Sequence, residues 1–329
     1  MIFGTMNIKS RAGRIKAIIN IAVCFLITVS IILSFAACTG ADDKKDIKDP
    51  QSNVSETTYP YTIIDSYDRT VTLDKEPEKV VSIAPNITEI IFALGEGQKL
   101  AGRTEYCDYP EEAKQVASIG TLQEPNIEKI VELKPDLVIA STHFQKESLG
   151  KMEEAGLKVA VLYGEESFEG VYDTIDKVGK VLNANKKAQS IIADMKKKVS
   201  EVKQKVKGKN TPGVYYVISY GQMGDFTAGK GTFIGKMIEM AGGKNAADDV
   251  EGWSYSLEKL VEKNPDIMIC SMYYDTKKGI QSTNGYKDLD AVKNGKLFEI
   301  DNNLLDRQGP KLADGLVELA KIIHPESFR

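Results

Sequence analysis

The feature that most constrains this chain is a stretch that occurs twice. Residues 127–141 align without a gap to residues 257–271, and about half of the positions are identical. In each copy, apolar residues at helical spacing lead to a Pro-Asp pair, Pro135-Asp136 and Pro265-Asp266, and an apolar run of strand length follows. Each copy therefore reads as a helix, a turn and a buried strand. The two copies lie much farther apart than the units of a tandem array, so the chain is predicted to fold as two similar lobes. At 42% hydrophobic residues over 329 positions, each lobe has enough apolar material for its own core.

Short strand patterns and helical stripes alternate from Tyr61 onward, which predicts an α/β fold. Residues 61–65 and 70–73 flank Ser66-Tyr67-Asp68-Arg69 as an opening hairpin. Residues 80–83 read as a buried strand, and Asn86 or Thr88 is expected to cap a helix that runs to Leu94 and stops at Gly95 and Gly97. Residues 159–162 are the last predicted strand of the first half. Two helical stretches follow, 168–182 and 186–206. In the second, Ile192, Met195, Val199, Val202 and Val206 recur at helical spacing, while Lys196, Lys197, Lys203, Lys205 and Lys207 take the other, solvated face. At 1.5 Å per residue such a helix reaches roughly 30 Å, long enough to join two lobes. The predicted division is a leader over 1–37, a tether over 38–60, an N-terminal lobe over 61–166, connecting helices over 167–207 and a C-terminal lobe over 208–329.

The first 37 residues say where the protein works. Lys9, Arg11, Arg14 and Lys16 precede an apolar run over 17–37, the order of an export signal. The run ends at Phe35-Ala36-Ala37-Cys38, which resembles a bacterial lipobox, and this predicts cleavage before Cys38 and a lipid on its thiol. An uncleaved anchor is the alternative, because the run is almost long enough to span a bilayer. On both readings the basic flank stays inside and the bulk of the chain lies outside the cytoplasm. Residues 39–58, dense in Asp, Lys, Ser and Gly, read as a flexible tether. A net charge of -4 leaves no basic excess for a phosphate backbone, which argues against nucleic acid as a partner. Cys107 and Cys270 fall in different halves and are expected to be separate buried thiols, although the compartment permits a bridge.

Several segments, taken in order, resemble the periplasmic-binding proteins for ferric siderophores, haem and cobalamin. They are Thr62 to Val71, Pro77 to Ser82, Thr88 to Gly95, Tyr106-Cys107-Asp108-Tyr109-Pro110, the Pro135-Asp136 unit, Gly231 to Asn245, and Arg307 to Pro310 followed by Asp314-Gly315-Leu316. The resemblance implies two small α/β lobes joined by a single long rigid helix, with the ligand cleft between the lobes and little hinge motion. It implies a monomer that hands a metal chelate to an ABC permease dimer with its ATPase, held to the membrane by its lipid anchor alone and using no cofactor of its own. Glu128 and Glu258, one in each copy of the repeat, match the glutamates that dock such proteins on the permease; two ordinary carboxylates favoured by a helix N-terminus are the alternative. For the cleft, the resemblance implies Tyr106, Tyr109, Trp253, Tyr255 and Arg307 as ligand contacts. Flat aromatic faces suit a macrocycle or catechol, and a guanidinium suits a carboxylate, phosphate or amide-rich edge. Cobalamin or another corrinoid is the favoured guest, with ferric siderophore and haem close behind. Where cobalamin binders carry Trp at two cleft positions, this sequence has Leu122 and a residue near Ser141.

Other chemistries fit less well. A bare Zn²⁺ or Mn²⁺ receptor needs three or four His and carboxylate ligands, and the sequence has only His143 and His324, the latter expected at a helix end. A chelate must then bring its own ligands. Gly224 to Lys230 spells part of a phosphate-binding loop after a predicted strand, but Gly231 stands where a hydroxyl should reach Mg²⁺. A glycine-rich cleft loop offering backbone N–H groups to an anionic ligand edge is the better reading. A lipoprotein hydrolase lacks a Gly-x-Ser-x-Gly elbow and has few places for a catalytic base. A structural surface lipoprotein has no need of a two-lobed repeat and a stiff connector.

Overall fold

The computed structural model describes residues 54–329, so the basic segment, the apolar run, Cys24 and Cys38 lie outside the described residues. Both copies of the repeat fold alike. The helix Ile127–Leu133 starts where Asn126 Oδ1 accepts from the Lys129 N–H at 2.9 Å, and Leu257–Lys263 starts where Ser256 Oγ accepts from the Lys259 N–H at 3.3 Å. Each helix ends on a left-handed residue, Lys134 at φ 48° and Asn264 at φ 41°, before its Pro-Asp pair. Asp136 Oδ2 then accepts from the N–H groups of Glu78 and Lys79 at 3.0 Å, and Asp266 Oδ2 from that of Gly213 at 2.7 Å. Those donors stand at the start of the neighbouring strand, so each aspartate pins the strand that follows it beside its partner.

The N-terminal sheet is built from β3 (Val80–Ser82), β4 (Leu100–Arg103), β5 (Ala117–Ser118), β6 (Leu137–Ala140) and β7 (Val159–Val161), after a separate antiparallel hairpin of β1 (Tyr61–Ile64) and β2 (Thr70–Leu73). Its order is β5-β4-β3-β6-β7, all parallel. The C-terminal sheet holds β8 (Gly213–Ser219), β10 (Lys244–Asn245), β11 (Ile267–Ser271) and β12 (Leu297–Ile300) in the order β10-β8-β11-β12, also parallel, with the short β9 (Phe226–Thr227) antiparallel on β8. In β6 every residue is buried, as a parallel strand covered on both faces requires.

The spacer helix Asn185–Val206 buries Ala188, Ile192, Met195, Val199 and Val202 and packs against Phe168–Val181 on one side and Leu312–Ile323 on the other. A Cβ at Gly179 would stand 2.5 Å from that of Ala188, so the glycine lets the two helices cross closely. The largest apolar cluster runs without a break through these helices, from Val80, Ile87 and Ile90 of the first lobe to Val214, Ile238 and Leu316 of the second. Phe168 meets Phe233 across it, edge to face at 5.6 Å. The far side of each sheet has its own cluster, around Ile130 and Met152 in one lobe and Tyr215 and Tyr286 in the other. The two lobes thus share a back wall while their sheets stay separate.

Two expectations need correction. The helix after β3 runs over Pro85–Ala93, so Asn86 and Thr88 lie inside it instead of capping it. Pro85 at the first turn sets the start, since it lacks the N–H that a cap would satisfy, and Thr88 donates to Ser82 Oγ at 2.8 Å. The tether also ends earlier than composition indicates. Thr57 N–H donates to Asn183 Oδ1 at 2.8 Å and Tyr59 OH to the Val181 carbonyl at 3.0 Å, which fixes this stretch at the head of the spacer helix. Cys107 and Cys270 are both buried free thiols.

Candidate functional site

In parallel α/β sheets the loops after the strands gather at the carboxyl edge, where ligands bind. Here the segments after β3, β5, β6 and β7 in one lobe and after β9, β10 and β12 in the other line a cavity of about 550 Å³ between the lobes. Its N-terminal wall includes Asn86, Leu122, His143 and Tyr163; its C-terminal wall includes Phe233, Trp253, Asp306 and Arg307. Asp306 is open to water in the cavity yet surrounded by protein, and burial pushes its carboxyl up.

Arg307 crosses the gap. Its guanidinium donates to Glu89 Oε1 at 3.0 Å, to Asp108 Oδ1 at 2.7 Å and to the Tyr106 carbonyl at 3.4 Å, all in the other lobe. Beside it Asn86 Nδ2 donates to Ser141 Oγ at 3.1 Å and to the Gln308 carbonyl at 3.4 Å. The Glu89 side chain is 5% exposed and that of Arg307 12%. Burial raises Glu89 above the usual carboxyl range in spite of the guanidinium. For Arg307, burial alone lowers the pKa, but Asp108 and Glu89 outweigh it and keep the cation. Arg307 is therefore an interlobe tie through Nη1 and Nη2 that also lines the cavity, where the resemblance implied a ligand contact.

The remaining predicted contacts separate. Trp253 lines the cavity and is 43% exposed. Tyr255 does not reach it: the ring packs on Tyr215 with centroids 5.7 Å apart, and its hydroxyl lies 3.0 Å from Asp249 Oδ1. It belongs to the core beneath the Trp253 loop. Tyr109 lines smaller hollows on the other side of the Arg307 tie, and Lys311 Nζ covers its ring at 3.7 Å from the centroid. Tyr106 is exposed on the same loop. The glycine-rich loop is a further correction. Three of its N–H groups are already used, Thr227 donating to the Trp253 carbonyl at 2.7 Å, Gly229 to Gly252 at 2.9 Å and Lys230 to Val250 at 2.7 Å. Any Cβ at Gly229 would strike the Val250 and Gly252 carbonyls. The loop is the frame that holds Trp253, and none of residues 224–230 lines the cavity.

Glu89 and His143 escaped the sequence reading. Glu89 had a signal, an acid set among Ile87, Ile90 and Ile91 on the buried face of its helix. His143 had none, because its left-handed backbone, φ 63°, is a property of the loop. Among the described residues no group of three or more His, Cys, Asp and Glu is arranged to hold a metal ion, and no helix is long and apolar enough to cross a membrane.

Comparison with known proteins places this geometry. A family model described as periplasmic binding protein matches residues 80–304. The chain belongs to the periplasmic binding protein family. YvrC of Bacillus subtilis, an uncharacterized ABC transporter substrate-binding lipoprotein, is 32% identical over 309 residues, covering 92% of this chain and 98% of its own. A cobalamin-binding protein of Halobacterium salinarum is 28% identical over 280 residues, covering 81% of this chain and 75% of its own. The periplasmic haem-binding protein RhuT of Roseiflexus superposes with a TM-score of 0.70 at 26% identity, over 76% of this chain and 99% of its own. As a member of this family the chain is an extracytoplasmic solute-binding protein of an ABC importer and not an enzyme. Glu128 and Glu258 are both exposed and hold the same place, one residue into the first turn of the two repeat helices.

Proposed function

We propose that this periplasmic binding protein captures a bulky metal chelate between its lobes, a corrinoid before a haem or ferric siderophore, and presents it to an ABC permease dimer. The observation that carries the reading is the interlobe cavity of about 550 Å³ with an exposed tryptophan on one wall. Its size is that of a small-molecule site, and a flat indole removes much apolar area from water at little rotamer cost. Relatives named for cobalamin and haem binding support the same ligand class. Glu128 and Glu258 orient the two lobes against basic residues of the permease, acting on encounter and register more than on affinity. Cys38 carries the lipid anchor.

Trp253 is the only tryptophan in the sequence, so its emission reports on the cavity alone. Corrinoids, haem and ferric siderophores are titrated in turn, with thermal unfolding followed in parallel. The expected result is quenching by a corrinoid and a stabilisation of about 2.7 kcal/mol at a hundred times the dissociation constant. Quenching by a ferric siderophore but no corrinoid moves the guest to that class, and no response to any chelate rejects the proposal. For docking, the pair Glu128→Ala and Glu258→Ala is expected to abolish most transport in a reconstituted importer while ligand binding persists. Full transport by the double variant removes these residues from the interface. Incorporation of labelled fatty acid into the wild type and not into Cys38→Ala tests the anchor.

A further inference from the structure

The whole chain carries a net charge of -4, yet the spacer helix Asn185–Val206 holds seven lysines against Asp194 and Glu201 alone. Lys186, Lys187, Lys196, Lys197, Lys203 and Lys205 are all exposed. Lys198 is spent on Asp314 of the next helix and Lys197 reaches Glu201 at 3.9 Å; among the described residues the other lysines of this helix have no carboxylate partner. Neighbouring acids do not neutralise the face. On Phe168–Val181, Asp173 and Asp176 are held by Lys177 and Lys180 at 2.7 Å, and on Leu312–Ile323 Glu318 is held by Lys321 at 2.7 Å. The result is a positive strip about 33 Å long, which matches an extended anionic surface better than a point anion.

The place where the chain enters points to the occupant. Asn185 Nδ2 donates to the Ser55 carbonyl at 2.7 Å, and Lys186 and Lys187 line one hollow with Val54, Ser55 and Glu56. The segment that leads back to Cys38 therefore joins the body at the head of the lysine strip. From Cys38 to Val54 the chain reaches at most about 55 Å, so a lipid on Cys38 makes contact of the strip with the bilayer an intramolecular event. Resting on the anchor reading above, we propose that the spacer helix lies against an anionic lipid surface through its lysine face and parks the protein on the membrane between deliveries. The attraction acts within about 8–10 Å and multiplies the bound fraction by a factor of about five per lysine. Glu128 and Glu258 carry the opposite charge on other helices, so lipid and permease draw on different elements.

The purified lipoprotein is incorporated into vesicles of phosphatidylcholine, with or without phosphatidylglycerol, and acylation of its lysines by a water-soluble reagent is followed residue by residue. The expected result is flotation with both kinds of vesicle, with Lys186, Lys187 and Lys203 acylated about fivefold more slowly on the anionic ones. Molar salt, where the screening length is about 3 Å, restores the rate. Lys129 and Lys259 on the repeat helices keep one rate throughout. In the combined variant Lys196→Gln, Lys197→Gln and Lys203→Gln, whose exposed side chains leave the core untouched, Lys186 and Lys187 lose protection while flotation persists. Equal rates on the two lipids overturn the lysine face and leave the anchor standing. Failure to float with phosphatidylcholine removes the anchor; flotation with anionic vesicles that salt reverses then supports the face by itself, and no flotation with either removes both. Protection by dissolved polyglycerol phosphate, with none on the vesicles, gives the face to a soluble polyanion and overturns the lipid.

Discussion

Asp65 and Glu89 are both buried carboxylates, and their surroundings move them in opposite directions. Burial by itself raises Asp65, but N–H donors from Tyr67, Arg69 and Val161 and the Arg69 guanidinium outweigh it and hold the carboxyl low. Its contribution to stability is therefore full above the unfolded value of about 3.9 and is lost as the pH falls through the lower folded value. Asp65→Asn is expected to lower the urea midpoint at pH 7, with the gap to wild type closing in that acid window. Glu89 behaves in reverse. Burial raises its folded pKa, so stability falls as the pH climbs from the unfolded value of about 4.3 through the folded one and is flat above it. Arg307→Met strands the Glu89 carboxylate and is expected to cost about 3 kcal/mol at neutral pH, a loss that Glu89→Leu recovers in the double variant. Denaturation of the four proteins in that cycle checks the sign; additive losses reject the tie.

The duplicated helix, turn and strand can be tested as one device present twice. Lys134→Gly is expected to stabilise the first lobe by roughly 0.5–1 kcal/mol, because a glycine carries no Cβ penalty at φ 48°. Asn264→Gly should gain less, since asparagine already tolerates that region. Thermal unfolding of the two variants gives the order. These elements were legible in the sequence because periodicity and the Pro-Asp pair are local signals: the helix read before Pro135-Asp136 and the strand read after it are the observed Ile127–Leu133 and Leu137–Ala140. What failed depended on partners remote in the chain. The N–H groups of Thr227, Gly229 and Lys230 are consumed by residues 250–253, and no local pattern announces that pairing. Trp253 and Tyr255 stand two residues apart and are both aromatic, yet one lines the cavity and the other is core. Arg307 was identified by resemblance, but its engagement with Glu89 spans 218 positions.

At the scale of the whole molecule, the shared back wall limits what the lobes can do. Opening them widely would break the cluster that runs through Phe168–Val181, Asn185–Val206 and Leu312–Ile323, whose last two helices are also tied by Lys198 and Asp314. Small-angle scattering with and without chelate is expected to show a nearly unchanged radius of gyration, about 19 Å for a compact body of this size. A contraction of several ångströms on binding would show that the wall is a hinge. The same wall has a consequence for synthesis. Leu312, Leu316, Leu319 and Ile323 are made long after the spacer helix and fill a core that residues from Val80 onward also line. A nascent thread lacking them leaves the apolar faces of Asn185–Val206 and Phe233–Met240 bare, and contacts this distant form slowly. Such a chain stays pliant until that helix docks, and both lobes then gain their common filling in one late step.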